Sequence, residues 1–327
     1  MTEAPLLQLN DVTITFDYAA GALHAVEDLT FHVNRGEVLG LVGESGSGKT
    51  LTGFSIMGAL DDPGVVSAGE ILFKGEDLTK MPPSRLRALR GSRLAMIMQD
   101  PMMTLNPTLT IGTQITEAIL AHRKTTRDHA RQLATEALEM VGIGQAQSRL
   151  SSYPHEYSGG MRQRVAIAIA LLHEPDLIVA DEPTTALDVT VQAQILIEVR
   201  RLVRSKGAAL IWITHDLSVI AGLADRVAVM YAGRIVEQGP TREVLTNPRH
   251  PYTYGLLKSS PENEPLENGK LWQIAGSAPS IAQRPEGCVF RPRCAHASEA
   301  CLSLPGESAG AHSYTCWHPR GSGSSDG

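Results

Sequence analysis

The chain reads as an α/β protein with a mainly parallel core, and three observations predict this. Val38-Leu39-Gly40-Leu41-Val42 and Leu177-Ile178-Val179-Ala180 are short, continuous apolar runs, the pattern of strands buried on both faces. Stretches with helical apolar spacing, Thr110–His122 and Asp128–Val141, lie between them. The first apolar run leads into Gly43-Glu44-Ser45-Gly46-Ser47-Gly48-Lys49-Thr50, and Thr50–Leu60 after it has a helical pattern. That strand–loop–helix order is the context a G-x-x-x-x-G-K-[ST] loop needs.

The elements follow in order. Leu7–Phe16 alternates as a strand, and Leu29-Thr30-Phe31-His32-Val33 is a second short strand before the turn Asn34-Arg35-Gly36. Val65–Leu72 with the Lys74-Gly75-Glu76 turn adds a further β element. Leu94–Met98 reads as a strand ending at Gln99, and Arg162–His173 as a helix. Val189–Arg204 is another helix, with Ile195, Leu196, Val199, Leu202 and Val203 on one face. Ala209–Thr214 is a strand, and Arg226–Glu237 a hairpin around Ala232-Gly233. Composition shifts near residue 245 into a Pro-rich stretch ending at Pro319, with a polar loop over Pro261–Asn268 and a tail over 321–327 of disordered composition.

The phosphate-loop pattern carries a mechanism. Small residues let backbone N–H groups converge on phosphates, and the following helix presents its positive end to them. Lys49 adds a point charge near the β- and γ-phosphates, and the Thr50 hydroxyl can ligate Mg²⁺. The second buried strand ends in Asp181-Glu182. Asp181 is placed to hold Mg²⁺, and Glu182 to orient and polarise an attacking water.

At 327 residues the chain can bury a large core and hold more than one domain. A net charge of −6 argues against a general nucleic-acid binder, which would show a basic stripe. No apolar run reaches the about 18 residues of a spanning helix, and Met1-Thr2-Glu3-Ala4-Pro5 shows neither the basic segment nor the apolar core of a secretory signal. Membrane association is therefore expected to come through partners.

Between the two motifs lies Tyr157-Ser158-Gly159-Gly160-Met161-Arg162-Gln163. With it the chain resembles the nucleotide-binding subunits of ABC transporters, whose hallmark is L-S-G-G-Q at this place. Tyr157 and Met161 depart from the pattern; Ser158, Gly159 and Gly160 keep it. Gln99 matches the family's Q-loop, Ala186-Leu187-Asp188 its D-loop, and His215 its switch histidine. Phe16 sits where the family stacks an aromatic on adenine, with Tyr18 as the alternative.

The resemblance implies a nucleotide-binding domain over 1–245 with a helical subdomain at about 100–160 that meets the permease, and an extension over 246–320. Two subunits would sandwich two ATP molecules, the Ser158-Gly159-Gly160 edge of one capping the nucleotide held by the other. Gln99 would sense Mg²⁺ or water, Glu182 act as base, and His215 hold the γ-phosphate. Gln99-Asp100-Pro101-Met102-Met103-Thr104-Leu105-Asn106-Pro107 and Arg249-His250-Pro251-Tyr252 resemble segments of the oligopeptide, dipeptide and nickel importer ATPases.

All four cysteines fall late, as Cys288-x5-Cys294-x6-Cys301-x14-Cys316. No C-x2-C pair is present, so common zinc spacings do not match, and four thiolates suffice for an iron–sulfur cluster. The peptide-importer subfamily carries a 4Fe-4S cluster at a similar quartet, and Arg291-Pro292-Arg293-Cys294 strengthens that likeness. Zinc, or cysteines without metal, are the alternatives. The cluster would staple a small domain with little apolar core. Far from the phosphate loop in sequence, these cysteines are expected to leave ATP binding alone when replaced.

The expected protein is thus an ATPase with ATP and Mg²⁺, peripheral on the cytoplasmic face of the membrane. Its implied partners are two permease subunits, a second related ATPase or an identical copy, and a solute-binding protein, with no nucleic acid. The cargo would be di- or oligopeptides, with nickel, glutathione or another small solute as alternatives. A soluble ABC ATPase acting on ribosomes or DNA would carry two such domains or a coiled-coil insert, and a non-catalytic switch would lack Glu182 or His215.

Overall fold

The computed structural model describes residues 4–19, 21–183, 207–259 and 272–321, together with 192, 196, 197, 199–201 and 203. The D-loop segment Ala186-Leu187-Asp188, most of the expected helix Val189–Arg204, the Pro261–Asn268 loop and the last six residues lie outside them.

Strands β1 (Leu7–Tyr18) and β2 (Gly21–Val33) open the chain, and β3 (Val38–Val42) is buried at every position. β2 starts eight residues earlier than the alternation suggested, because its first four residues are exposed or half-buried and carry no apolar signal. The helix after the phosphate loop, α1 (Lys49–Met57), stops at Gly58 in the left-handed conformation, short of Leu60. β4 (Gly64–Phe73) and β5 (Glu76–Asp77) follow, joined by Lys74 and Gly75 at positive φ. α2 (Pro83–Leu89) buries only Leu86, so it has no periodicity to read.

β6 (Leu94–Ile97) precedes α3 (Ile111–His122) and α4 (Arg127–Met140). Each of these helices is N-capped by a threonine side chain, Thr110 accepting from the Thr113 N–H and Thr126 from the His129 N–H. α5 (Ala146–Arg149), α6 (Gly159–Leu171), β7 (Leu177–Asp181) and β8 (Ala209–Thr214) come next. The helix α7 (Leu217–Leu223) leads to the hairpin β9 (Arg226–Tyr231) and β10 (Arg234–Pro240), whose turn residues Ala232 and Gly233 both have positive φ. α8 (Thr241–Thr246), α9 (Pro251–Lys258) and the short β11 (Ser313–Tyr314) complete the chain.

The chain divides into two compact units. The first comprises 1–32, 38–79 and 212–327. It contains an antiparallel four-stranded sheet, β2-β1-β4-β5, and the strand order β11-β10-β9-β3, in which β3 and β9 run parallel. Its core holds Leu39, Leu41, Val42, Val227, Val229 and Met230, all fully buried. The region after residue 245 packs within this unit, with Tyr252 and Phe290 against Tyr231 at ring-centroid distances of 4.5 and 5.2 Å.

The second unit comprises 33–37 and 80–211. β6 and β7 pair in parallel there. α3, α4 and α6 enclose a separate apolar core of Ile111, Ile115, Ile119, Ala134, Leu138 and Val165. Gly112 permits the α3 approach, since a Cβ there would lie 2.6 Å from the Leu150 carbonyl oxygen. These two units carry the α/β architecture expected, with parallel pairs β3–β9 and β6–β7 beside antiparallel pairs such as β1–β4 and β9–β10.

Candidate active site

In the first unit, β3 delivers the chain to the phosphate loop and α1 leaves it. Two glycines are required by geometry. A Cβ on Gly43, at φ 158°, would lie 2.1 Å from the Met230 carbonyl oxygen. Gly48, the N-cap of α1, has φ 101°, and a Cβ there would press on Val26 and Met230. Lys49 is buried, its Nζ donating to the carbonyl oxygens of Gly43 (2.8 Å) and Glu44 (2.9 Å) and to Ser47 Oγ (3.4 Å). Ser45, Gly46 and Thr50 are exposed. The loop thus offers a buried cation and outward-facing small residues, which suit an anionic ligand.

Phe16 is half-buried and Tyr18 exposed near the end of β1. Their rings stack at 6.3 Å and 12°, as two residues on one strand face can. Both therefore present a flat face, and the geometry does not choose between them. His215 directly follows β8 in an exposed position, after the buried Thr214.

In the second unit, Asp181 is the last residue of β7 and is buried, whereas Glu182 is half-buried with φ 43°. A left-handed backbone at a non-glycine residue is strained, and such strain concentrates at functional positions. Gln99 Nε2 donates to Glu182 Oε2 at 3.1 Å, so the structure brings these two sequence-predicted residues together. The buried Gln163 of α6 donates from Nε2 to the Met98 carbonyl oxygen at 3.1 Å, tying that helix to the segment carrying Gln99.

Ser158 caps α6, its Oγ accepting the Met161 N–H at 3.3 Å, and Ser158 and Gly159 are exposed at the helix N-terminus. The two departures from L-S-G-G-Q lie on the inner side. Tyr157 is buried in the helical core and donates from Oη to the Arg149 carbonyl oxygen at 2.8 Å. Met161 packs half-buried against the same core. The outward Ser-Gly-Gly edge is left intact.

Sequence reasoning gave no role to two residues that touch the phosphate loop. The Glu44 N–H donates to Tyr252 Oη at 2.9 Å. Arg293 grips the Glu44 carboxylate with both guanidinium ends, Nη1 to Oε2 at 2.7 Å and Nη2 to Oε1 at 3.2 Å. Burial pushes the Tyr252 hydroxyl well above the usual phenol range, so it stays protonated. Burial alone would lower the Arg293 guanidinium; the Glu44 pair outweighs this and raises it. Tyr252 belongs to the Arg-His-Pro-Tyr segment, and Arg293 to the turn before Cys294. Both segments stood out in sequence, but nothing local pointed to residue 44.

The four cysteines are not disulfide-bonded. Burial raises the thiols of Cys288 and Cys294 and pushes Cys316 up to about 12; Cys301 raises all three further, Cys288 raises Cys294 and Cys316, and Cys294 raises Cys316. Backbone N–H groups two residues on, at Phe290, His296 and His318, act in the opposite sense by hydrogen-bonding the sulfurs. The His318 N–H lies 3.3 Å from Cys316 Sγ. These donors suit thiolates that carry a metal or cluster. Among the described residues, however, no three His, Cys, Asp or Glu side chains form a ready group for one metal ion. Nor is any helix among them long and apolar enough to cross a membrane.

Comparison with known proteins gives the chain's family. Residues 26–185 match the ABC transporter family model, and residues 236–301 match the oligopeptide/dipeptide transporter C-terminal region. The oligopeptide transport ATP-binding protein OppD of Bacillus subtilis is 47% identical over 293 residues, covering 89% of this chain and 82% of that protein. OppD of Salmonella typhimurium is 46% identical, covering 93% and 92%. Among solved structures, the ATP-binding cassette MJ0796, a dimer in a post-hydrolysis state bound to ADP and Pi, superposes with a TM-score of 0.66 at 26% identity. It covers 72% of this chain and 99% of the cassette. The loop, the acid-ended strand, the Ser-Gly-Gly helix start and the matched C-terminal region together place the chain in the family of oligopeptide and dipeptide ABC transporter ATP-binding proteins.

Proposed function

We propose that the chain is the ATP-hydrolysing subunit of a membrane importer for di- and oligopeptides, acting peripherally on the cytoplasmic face. One observation carries this: a complete set of ABC ATPase motifs is joined, in one chain, to the C-terminal region of oligopeptide/dipeptide transporters. Two permease subunits, a second ATPase related or identical to this one, and a solute-binding protein are the partners such a subunit needs. Purified with them, it should hydrolyse ATP faster when peptide-loaded binding protein is added. Stimulation by a loaded nickel- or glutathione-binding protein instead would reassign the cargo.

In this reading the backbone of residues 43–48 and Lys49 bind the phosphates, with Phe16 or Tyr18 under the adenine. The Thr50 hydroxyl and the Asp181 carboxylate are hard oxygen donors that fit Mg²⁺, which when bound neutralises phosphate charge. Glu182 accepts a proton from the water that attacks the γ-phosphorus, and Gln99 holds the Glu182 carboxylate in orientation. His215 contacts the γ-phosphate. Ser158, Gly159 and Gly160 cap the nucleotide of the neighbouring subunit, with Asp188 at the same interface.

For Cys288, Cys294, Cys301 and Cys316 we propose a 4Fe-4S cluster. Its supports are the confinement of all four cysteines to one short segment and the His318 N–H at 3.3 Å from Cys316 Sγ. Protein prepared without oxygen should contain about four iron and four sulfide per chain. Stoichiometric zinc, or four titratable thiols, would reject the cluster.

A further inference from the structure

We propose that Arg293 and Tyr252, from the C-terminal region, are positioning residues for the phosphate loop, acting through Glu44 to set ATP affinity. Glu44 is fixed at three points. Its N–H goes to Tyr252 Oη at 2.9 Å, its carbonyl oxygen accepts from Lys49 Nζ at 2.9 Å, and its carboxylate is held by the Arg293 fork at 2.7 and 3.2 Å. Two of these three partners come from more than 200 residues away.

Those partners are themselves firmly held. Arg293 Nε donates to the Ala275 carbonyl oxygen at 2.9 Å, and its guanidinium lies 5.7 Å from the Tyr231 ring and 6.0 Å from Phe290. Its side chain is only 6% exposed. Tyr252 is fully buried in the first turn of α9, where His250 Nδ1 accepts the Tyr252 N–H at 3.1 Å. The His250 N–H is in turn held by the buried Glu237 carboxylate at 2.9 Å.

The physical need is clear. A loop with glycine at 43, 46 and 48 loses much conformational freedom on ordering, so an external clamp preorganises it for phosphate. Charge gives the second reason. A carboxylate beside a phosphate site would repel the nucleotide, and a bidentate guanidinium cancels it while fixing its direction. Arg293 therefore does two things through one contact: it orients the loop and it neutralises Glu44.

This inference rests on reading residues 43–50 as the ATP site, and ATP binding by the wild-type full-length chain tests that reading first and separately. The variants follow in the same titration. Arg293→Ala should weaken ATP binding roughly tenfold, since it leaves a partly buried carboxylate unpaired beside the phosphates. Adding Glu44→Gln to Arg293→Ala should recover most of the loss, because the repelling charge is gone. Arg293→Lys, which keeps the charge without the fork, should fall between, and Tyr252→Phe should weaken binding by a few-fold. In the assembled complex Arg293→Lys should raise KM for ATP and leave kcat near wild type. Wild-type affinity in Arg293→Lys and Arg293→Ala, or no recovery on adding Glu44→Gln, would overturn the proposal.

Discussion

The phosphate loop and the acid end of β7 are built on opposite plans. Around Gly43–Lys49 nearly every group is committed: backbone glycines in left-handed conformation, a buried lysine, and a glutamate held by Tyr252 and Arg293. At the end of β7 the chemistry rests on side chains. Glu182 is half-buried on a strained backbone, with the exposed Gln99 amide at 3.1 Å. A rigid cradle suits binding, where preorganisation raises affinity. A carboxylate on a strained residue, hydrogen-bonded to an exposed amide, suits a step that must switch with occupancy. The two regions should therefore fail differently when damaged.

The largest effect is expected from Glu182→Gln. The amide keeps the shape and cannot take a proton, so turnover of the assembled complex should fall by about 10²–10⁴-fold. Normal ATPase in that variant would remove the base from Glu182 and erase the contrast between the two regions.

Gln99→Ala probes the same end more gently. It removes the hydrogen bond to Glu182 while Gln163 still ties α6 to Met98. Substrate-stimulated ATPase should drop several-fold and basal ATPase by less, read side by side on the reconstituted complex. Equal rates with intact transport would mean the Gln99–Glu182 contact carries no signal.

The smallest effect belongs to the binding side. Burial pushes the His250 imidazole from 6.5 down to about 3, so it stays neutral where an exposed histidine would take up a proton. A lowered folded-state value means its contribution to stability is complete above pH 6.5 and is lost as pH falls toward 3. His250→Asn keeps a capping acceptor for α9 and removes the titration. Its melting temperature should therefore decline less steeply than that of the wild type on acidification from about pH 7 to about pH 4, by a few degrees. Parallel declines would show that the buried imidazole is not what makes this helix start acid-sensitive.

How much of this was readable in the sequence depends on range. The phosphate loop, β8, the Ala232-Gly233 hairpin and the start of α3 at Thr110 are written in local patterns: glycine spacing, apolar continuity, turn chemistry and caps. The extent of β2 and the existence of α2 were not, because their exposed or half-buried residues leave no periodic trace. The Arg293–Glu44 pair joins residues 249 apart and could be found only by folding the chain. It also changes an expectation. Distance in sequence suggested that the cysteines and the phosphate loop are independent. Arg293 directly precedes Cys294, in a turn where the Arg291 N–H bonds the Cys288 carbonyl oxygen. Cysteine substitutions should therefore be scored for ATP affinity as well as for metal content.

The separation of binding from chemistry is tested most directly by titrating ATP into the full-length chain carrying Glu182→Gln. A dissociation constant within about twofold of wild type is the result expected if the loop and its C-terminal clamp hold the nucleotide on their own. A loss of tenfold or more would show that the acid end is part of the binding site and that the two plans are one.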